Sequence, residues 1–202
     1  MTIEKMKQRL EEAQVRATMV RGSIADRIRA LNEVSALQRQ LAAARNQDYA
    51  EPIDIGFVPE AAVSGAHLFQ SEYAAFLVFN AMKQTQDGSR VDAGTGIVEI
   101  TRCSVSKFGY PNDEALRGHP LYDRGLRAYG IFEVKNSSWP MQLTQQNRVV
   151  FPKTPDSKQR HFIVSFHDST FECVATSLMA SLSGHTFEET VASVIKQISH
   201  AA

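Results

Sequence analysis

The stretch RHFIVSFHDSTFECVA, residues 160–175, alternates apolar and polar side chains on either side of a short polar centre. A period of two marks a strand with one buried face, and two such runs joined by turn-forming residues predict a β-hairpin. A loop at Asp168-Ser169 pairs Phe166 with Phe171, and a loop at Ser169-Thr170 pairs Phe166 with Cys173. Either register places Phe162, Val164, Phe166, Phe171, Cys173 and Ala175 on the core face, because an odd slip would turn half of them outward. His161, Ile163, Ser165 and His167 then share the opposite face with Glu172, Val174 and Thr176.

That parity limits the chemistry. His161 and His167 stand about 20 Å apart along one strand at ~3.3 Å per residue, too far to share a metal ion. Cys173 faces the core and His167 faces away, so no Cys-His nucleophile forms, and Cys173 is expected to be an inert buried thiol. His167 and Glu172 share the outer face. A carboxylate about 5 Å away orients an imidazole and raises its basicity, the arrangement of a general base or of a metal ligand with its outer-shell partner. His119, in LRGHPLYDRG, is the third catalytic candidate if its loop folds over that face. Arg117, Tyr122, Asp123, Arg160, Trp139 and the tip residue Asp168 are the candidate ligand contacts. The motifs GxSxG, HExxH, CxxC and a phosphate-binding glycine loop are absent, and neither a metal nor a cofactor is expected.

Upstream, residues 2–45 contain no proline and read as helix. With Ile3 at heptad position a, the a series is Ile3, Leu10, Ala17, Ile24, Leu31, Gln38, and the d series is Met6, Ala13, Val20, Arg27, Val34, Leu41. Ten of these twelve positions are apolar, a coiled-coil seam that predicts self-association through residues 3–41. Gly22, with Ser23 and Asp26 able to cap a second helix, leaves one rod of ~60 Å and a helical hairpin both open. Pro52, Gly56 and Pro59 then break the pattern, dividing a helical arm, 1–48, from a globular domain, 51–202.

In the domain, apolar residues Leu68, Phe69, Tyr73, Phe76, Leu77, Phe79 and Met82 within 60–84 predict a buried helix, and the turn formers of 85–96 predict a loop. Strands are expected at 97–105 and 129–136, an irregular loop at 106–130, and a helix from Ser137 or Ser138 through Arg148. A final helix starts at the capping box of Thr186 and Glu189, with Phe187, Val191, Val194, Ile195 and Ile198 on one face. The fold class is α+β: a small antiparallel sheet packed with helices, preceded by a long coiled-coil-like arm.

Lysine and arginine number 22, as do aspartate and glutamate, so the excess basic charge of a general nucleic-acid binder is missing. No apolar run approaches the ~18 residues of a membrane span, the charged N-terminus lacks a signal-peptide core, and the two cysteines make no disulfide framework. Those features place the chain in the cytoplasm with reduced thiols.

The stretches GYPNDEALRGHPLY, YGIFEVKNSSW and RHFIVSFHDSTFECVA, within about 106–176, resemble an uncharacterised family of bacterial proteins. That resemblance implies a bacterial domain and brings no activity, ligand or functional residue with it. The expectation is a bacterial binding or regulatory protein, oligomerised by its arm and presenting the loop 106–130 to a small molecule or protein. The alternative is a hydrolase, with or without a bound metal, using His167 and Glu172.

Overall fold

The computed structural model of the chain describes residues 2–62, 65–72, 74–85 and 89–200. Among them the fold is α+β, with two antiparallel sheets rather than one small one.

The N-terminal segment is a helical hairpin, not a rod. Helix α1 spans Ile3–Met19 and α2 spans Ile24–Ala44. The break is chemical: Ser23 Oγ accepts from Asp26 N at 3.2 Å while Asp26 Oδ2 accepts from Ser23 N at 3.0 Å, a reciprocal cap on α2. Gly22 permits it, since a Cβ there would stand 2.6 Å from Asp26 Oδ2. Ala13, Val34 and Leu37 are buried between the helices, with Leu10 and Ala17 against them. The heptad seam is thereby divided. Its middle closes the hairpin, Gln38 and Leu41 are buried near the base of α2, and Ile3, Ile24 and Leu31 remain exposed.

After β1 at Tyr49–Pro52 and β2 at Val58–Pro59, the helix expected over 60–84 is instead two strands, β3, His67–Gln70, and β4, Ala74–Gln84. Tyr73 of that expected helix lies outside the described residues. Strand β4 is covered on both sides: Ala75, Leu77, Phe79 and Ala81 enter the core between the sheets, and Phe76 and Val78 meet the C-terminal helix. A strand buried on both faces loses its alternation, and its sequence then resembles a buried helix.

The loop expected at 85–96 is largely strand. Strand β5 spans Arg90–Thr101; residues 86–88 lie outside the described residues. Its glycines serve the sheet. Gly94 takes φ +84° beside a bulge in the β4–β5 ladder, and Gly96 leaves room for the Phe79 ring, 2.8 Å from where a Cβ would sit. The strand expected at 97–105 therefore ends early, and β6 runs Val105–Gly109. Next come 3-10 turns at Ala115–Gly118 and Tyr122–Arg124, β7 at Gly130–Lys135, α3 at Trp139–Arg148, β8 at Arg160–Ser165, β9 at Thr170–Ala175, β10 at Ser177–Ser183 and α4 at Phe187–His200.

One sheet has the order β1-β7-β8-β9-β6; the other has β10-β5-β4-β2, with β3 also on β4. Phe162, Val164, Phe166, Phe171, Cys173 and Ala175 fill the space between the sheets together with Leu77, Phe79, Val98 and Ile100. Helix α4 lies on the far face of the second sheet through Phe187, Val191, Val194 and Ile198, while Ile195 is exposed. Residues 110–129 cover the far face of the first sheet, where Leu116, Leu121 and Leu126 bury Ile163, Phe132 and Val134.

Candidate functional site

The hairpin keeps the expected parity but turns one step earlier. Ser165 pairs with Thr170, Phe166 N donates to Ser169 O at 2.8 Å, and His167-Asp168 form the tip. Glu172 is consequently opposite Ile163 and diagonal to His161. The expected His167–Glu172 pair is not formed: Glu172 meets His161 and His119, and His167 meets Asp113 and Tyr129.

Glu172 anchors a chain of hydrogen bonds under the 110–129 cover. Its Oε1 is 3.4 Å from His119 Nε2 and its Oε2 is 3.2 Å from His161 Nε2. His119 Nδ1 accepts the Leu121 backbone N–H at 3.1 Å, which assigns its proton to Nε2, facing the carboxylate. Beyond His161, Nδ1 is 2.9 Å from Ser137 Oγ, and Ser137 Oγ accepts from Trp139 N at 3.3 Å. With Nε2–H donated to Glu172, His161 Nδ1 is left to accept the Ser137 hydroxyl proton. Trp139 meets His161 edge-on at 5.0 Å, and Lys107 Nζ lies 4.6 Å over the indole.

Burial pushes the Glu172 carboxyl upward. The two histidine hydrogen bonds and the Lys107 charge act in the opposite sense and prevail, so the group is held well below the ordinary carboxylate range. His161 is only 7% exposed, and both Glu172 oxygens are occupied. The outer face of the hairpin is therefore an interior face.

A second cluster gathers at the tip. His167 Nδ1 is 3.0 Å from Asp113 Oδ2 and 3.2 Å from Tyr129 OH, and Tyr129 OH also donates to Asp113 Oδ2. The Tyr129 bond is the main cause that lowers the Asp113 carboxyl, against the effect of burial, with His167 adding to it. Burial and that same carboxylate push the Tyr129 phenol up to about 12. Beside the tip, Phe79, Phe108, Phe166, His167, Asp168 and Ser169 line a cavity of about 250 Å³.

The other sequence candidates scatter. Asp123 accepts from Gln38 Nε2 of α2 at 3.4 Å, and Tyr122 carries, 4.8 Å over its ring, the Arg127 guanidinium that donates to Gln38 Oε1. Arg160 pairs with Glu133 and stacks 4.8 Å over Phe162. Arg117 is exposed. Of the nine candidates, only His119, Glu172 and Trp139 meet at the Glu172 chain, and His167 and Asp168 meet at the tip. Ser137, Asp113 and Tyr129 were not anticipated as site residues. His161, considered only as a metal ligand, carried the one usable signal, its shared parity with Glu172. Among the described residues no group of three His, Cys, Asp or Glu side chains is arranged to hold a metal, and no helix is long and apolar enough to cross a membrane. Comparison with protein families, curated proteins and solved structures finds no match to this chain.

Proposed function

We propose that this chain is a bacterial cytosolic binding or regulatory protein that self-associates through its N-terminal helices and offers the hairpin tip, with the adjoining loop, to a small ligand or protein partner. The observation that carries this is the half-covered helical hairpin. Its inner face is closed by Ala13, Val34 and Leu37, yet Val15 and Met19, one turn apart on α1, are 52% and 71% exposed. Ile24 and Leu31, one heptad apart on α2, are 66% and 55% exposed. Apolar stripes at these spacings suit packing of two hairpins into a four-helix bundle. The cavity beside His167 and Asp168 supports the ligand-binding half.

Light scattering tests the first half. The wild type is expected as an oligomer and an Ile24→Glu/Leu31→Glu double variant as a folded monomer; a monomeric wild type removes the proposal.

A second reading, hydrolysis, is favoured by one observation. Ser137, His161 and Glu172 form an unbroken nucleophile–base–carboxylate chain. It differs from the His167 site expected from sequence and presents Nδ1, not Nε2, to the serine. A fluorophosphonate probe that labels the wild type at Ser137, and not the Ser137→Ala variant, would favour hydrolysis over simple binding.

A further inference from the structure

We propose that Cys103 and Cys173 form a reversible oxidation site, in which Cys103 reacts with a hydroperoxide and Cys173 closes the disulfide. These are the only cysteines of the chain, 70 positions apart, and both are unoxidised in the structure. The fold brings them together. Cys103 lies in the crossing from β5 to β6, just after Arg102 at φ +52°, and Cys173 lies on β9 beside it. Ser104 N donates to Val174 O at 2.9 Å, and Ser106 pairs with Cys173 in the ladder, which draws the crossing against β9. Both thiols belong to the core between the sheets, where each shifts the acidity of the other.

Their environments differ in the way the two roles require. Cys173 is fully buried. Cys103 is 7% exposed and lines an open cleft of about 840 Å³ together with Gln70, Glu72 and Arg102. Gln70 Nε2 points at Cys103 Sγ from 3.9 Å, held in that sense by Ser106 Oγ donating to Gln70 Oε1 at 2.6 Å. The hydrogen bond from Cys173 is the main cause that lowers the Cys103 thiol, against burial. The same contact, added to burial, pushes Cys173 up. The sulfur that lines the cleft is thus the one an oxidant reaches first, and the thiol held in reserve is the sequestered one.

The reaction balances without a metal. The Cys103 thiolate attacks one oxygen of the hydroperoxide; an S–O bond forms, the O–O bond breaks, and the departing alkoxide takes a proton to become an alcohol. The Cys173 sulfur then attacks the Cys103 sulfenic acid; an S–S bond forms, the S–O bond breaks, and hydroxide leaves with the Cys173 proton as water. Two thiols are oxidised by two electrons and one hydroperoxide is reduced. A small dithiol reverses the step. In a reducing compartment such a bond is transient, as expected of a sensor.

The test uses the full-length reduced protein and hydrogen peroxide. Expected is the loss of both titratable thiols, an intact mass lower by two hydrogens, a Cys103–Cys173 linked peptide, and a melting temperature raised by roughly 5 °C from closing the loop. Dimedone present during the reaction should mark Cys103 in the wild type and more heavily in Cys173→Ser, and mark nothing in Cys103→Ser. Two thiols still titratable after peroxide, or oxidation that yields only disulfide-linked dimers, would overturn the site. Equal dimedone labelling of Cys173 would overturn the order of attack. The wild-type measurements stand even if a variant does not fold.

Discussion

His161 Nε2 and Glu172 Oε2 are 3.2 Å apart across the β8–β9 ladder, in a position that water scarcely reaches. The contact holds together three separated pieces of chain. Ser137 at the start of α3 reaches it through His161, and His119 in the 110–129 cover completes the carboxylate's other side.

Replacing that carboxylate should be costly. Glu172→Ala leaves two imidazole N–H groups facing a dry space, and an unsatisfied buried donor costs about 1–3 kcal/mol. Urea unfolding should show a loss of that size, and limited proteolysis should show faster cutting within 110–129. A midpoint unchanged from the wild type would mean that the chain of hydrogen bonds contributes nothing.

Acid should act through the same group. Its carboxyl is depressed in the folded state, so the stability it confers is present above the unfolded value of about 4.3 and is lost as pH falls below it. Asp113, also depressed, acts in the same direction. Urea midpoints followed from about pH 6 to about pH 3 should fall more steeply for the wild type than for Glu172→Gln. Parallel curves would assign acid sensitivity to other groups.

Alkali should act at the hairpin tip. The Tyr129 phenol is raised to about 12, so its contribution is complete below the unfolded value of about 10 and is lost as pH rises through the folded one. Difference absorbance of tyrosinate should show one phenol titrating late, absent from Tyr129→Phe. A wild type whose tyrosines all titrate near 10 contradicts the Asp113–Tyr129 bond.

Arg127 should join arm to domain. Its guanidinium donates to Gln38 Oε1 at 2.6 Å and to the Tyr122 and Leu126 carbonyls, each at 2.6 Å. Arg127→Ala strands those acceptors and should cost about 2 kcal/mol. Hydrogen exchange should quicken near the base of α2 and in the cover together; exchange confined to one of them would argue against a shared anchor.

Gly96→Ala tests close packing. A methyl group there meets the Phe79 ring at 2.8 Å, and overpacking of a full core costs about 1–3 kcal/mol. A melting temperature equal to that of the wild type would show that the ring can yield.

Local chemistry was the legible part of this fold. Both capping boxes form where Ser23–Asp26 and Thr186–Glu189 place them, and the six core-facing residues of 160–175 all enter the space between the sheets. What lay beyond reach depended on partners distant in sequence. Nothing near 74–84 announces that a helix from 187–200 covers its second face, and so the missing alternation reads as helix. The candidate site failed for a smaller reason. Parity is visible in the residues, but register depends on which ones the turn consumes, and a turn at His167-Asp168 gave Glu172 a different histidine. His119 was legible only as a loop histidine, since its approach requires Leu116, Leu121 and Leu126 to find Ile163.

The double coverage of β4 has an evolutionary corollary. Residues 75–79 are all buried, alternately against the opposite sheet and against α4. No position in that run offers a place where a charged replacement can escape to water. In diverged copies of this domain, hydrophobic identity should be kept at five neighbours in succession, and drift should be confined to exchanges of one oily side chain for another.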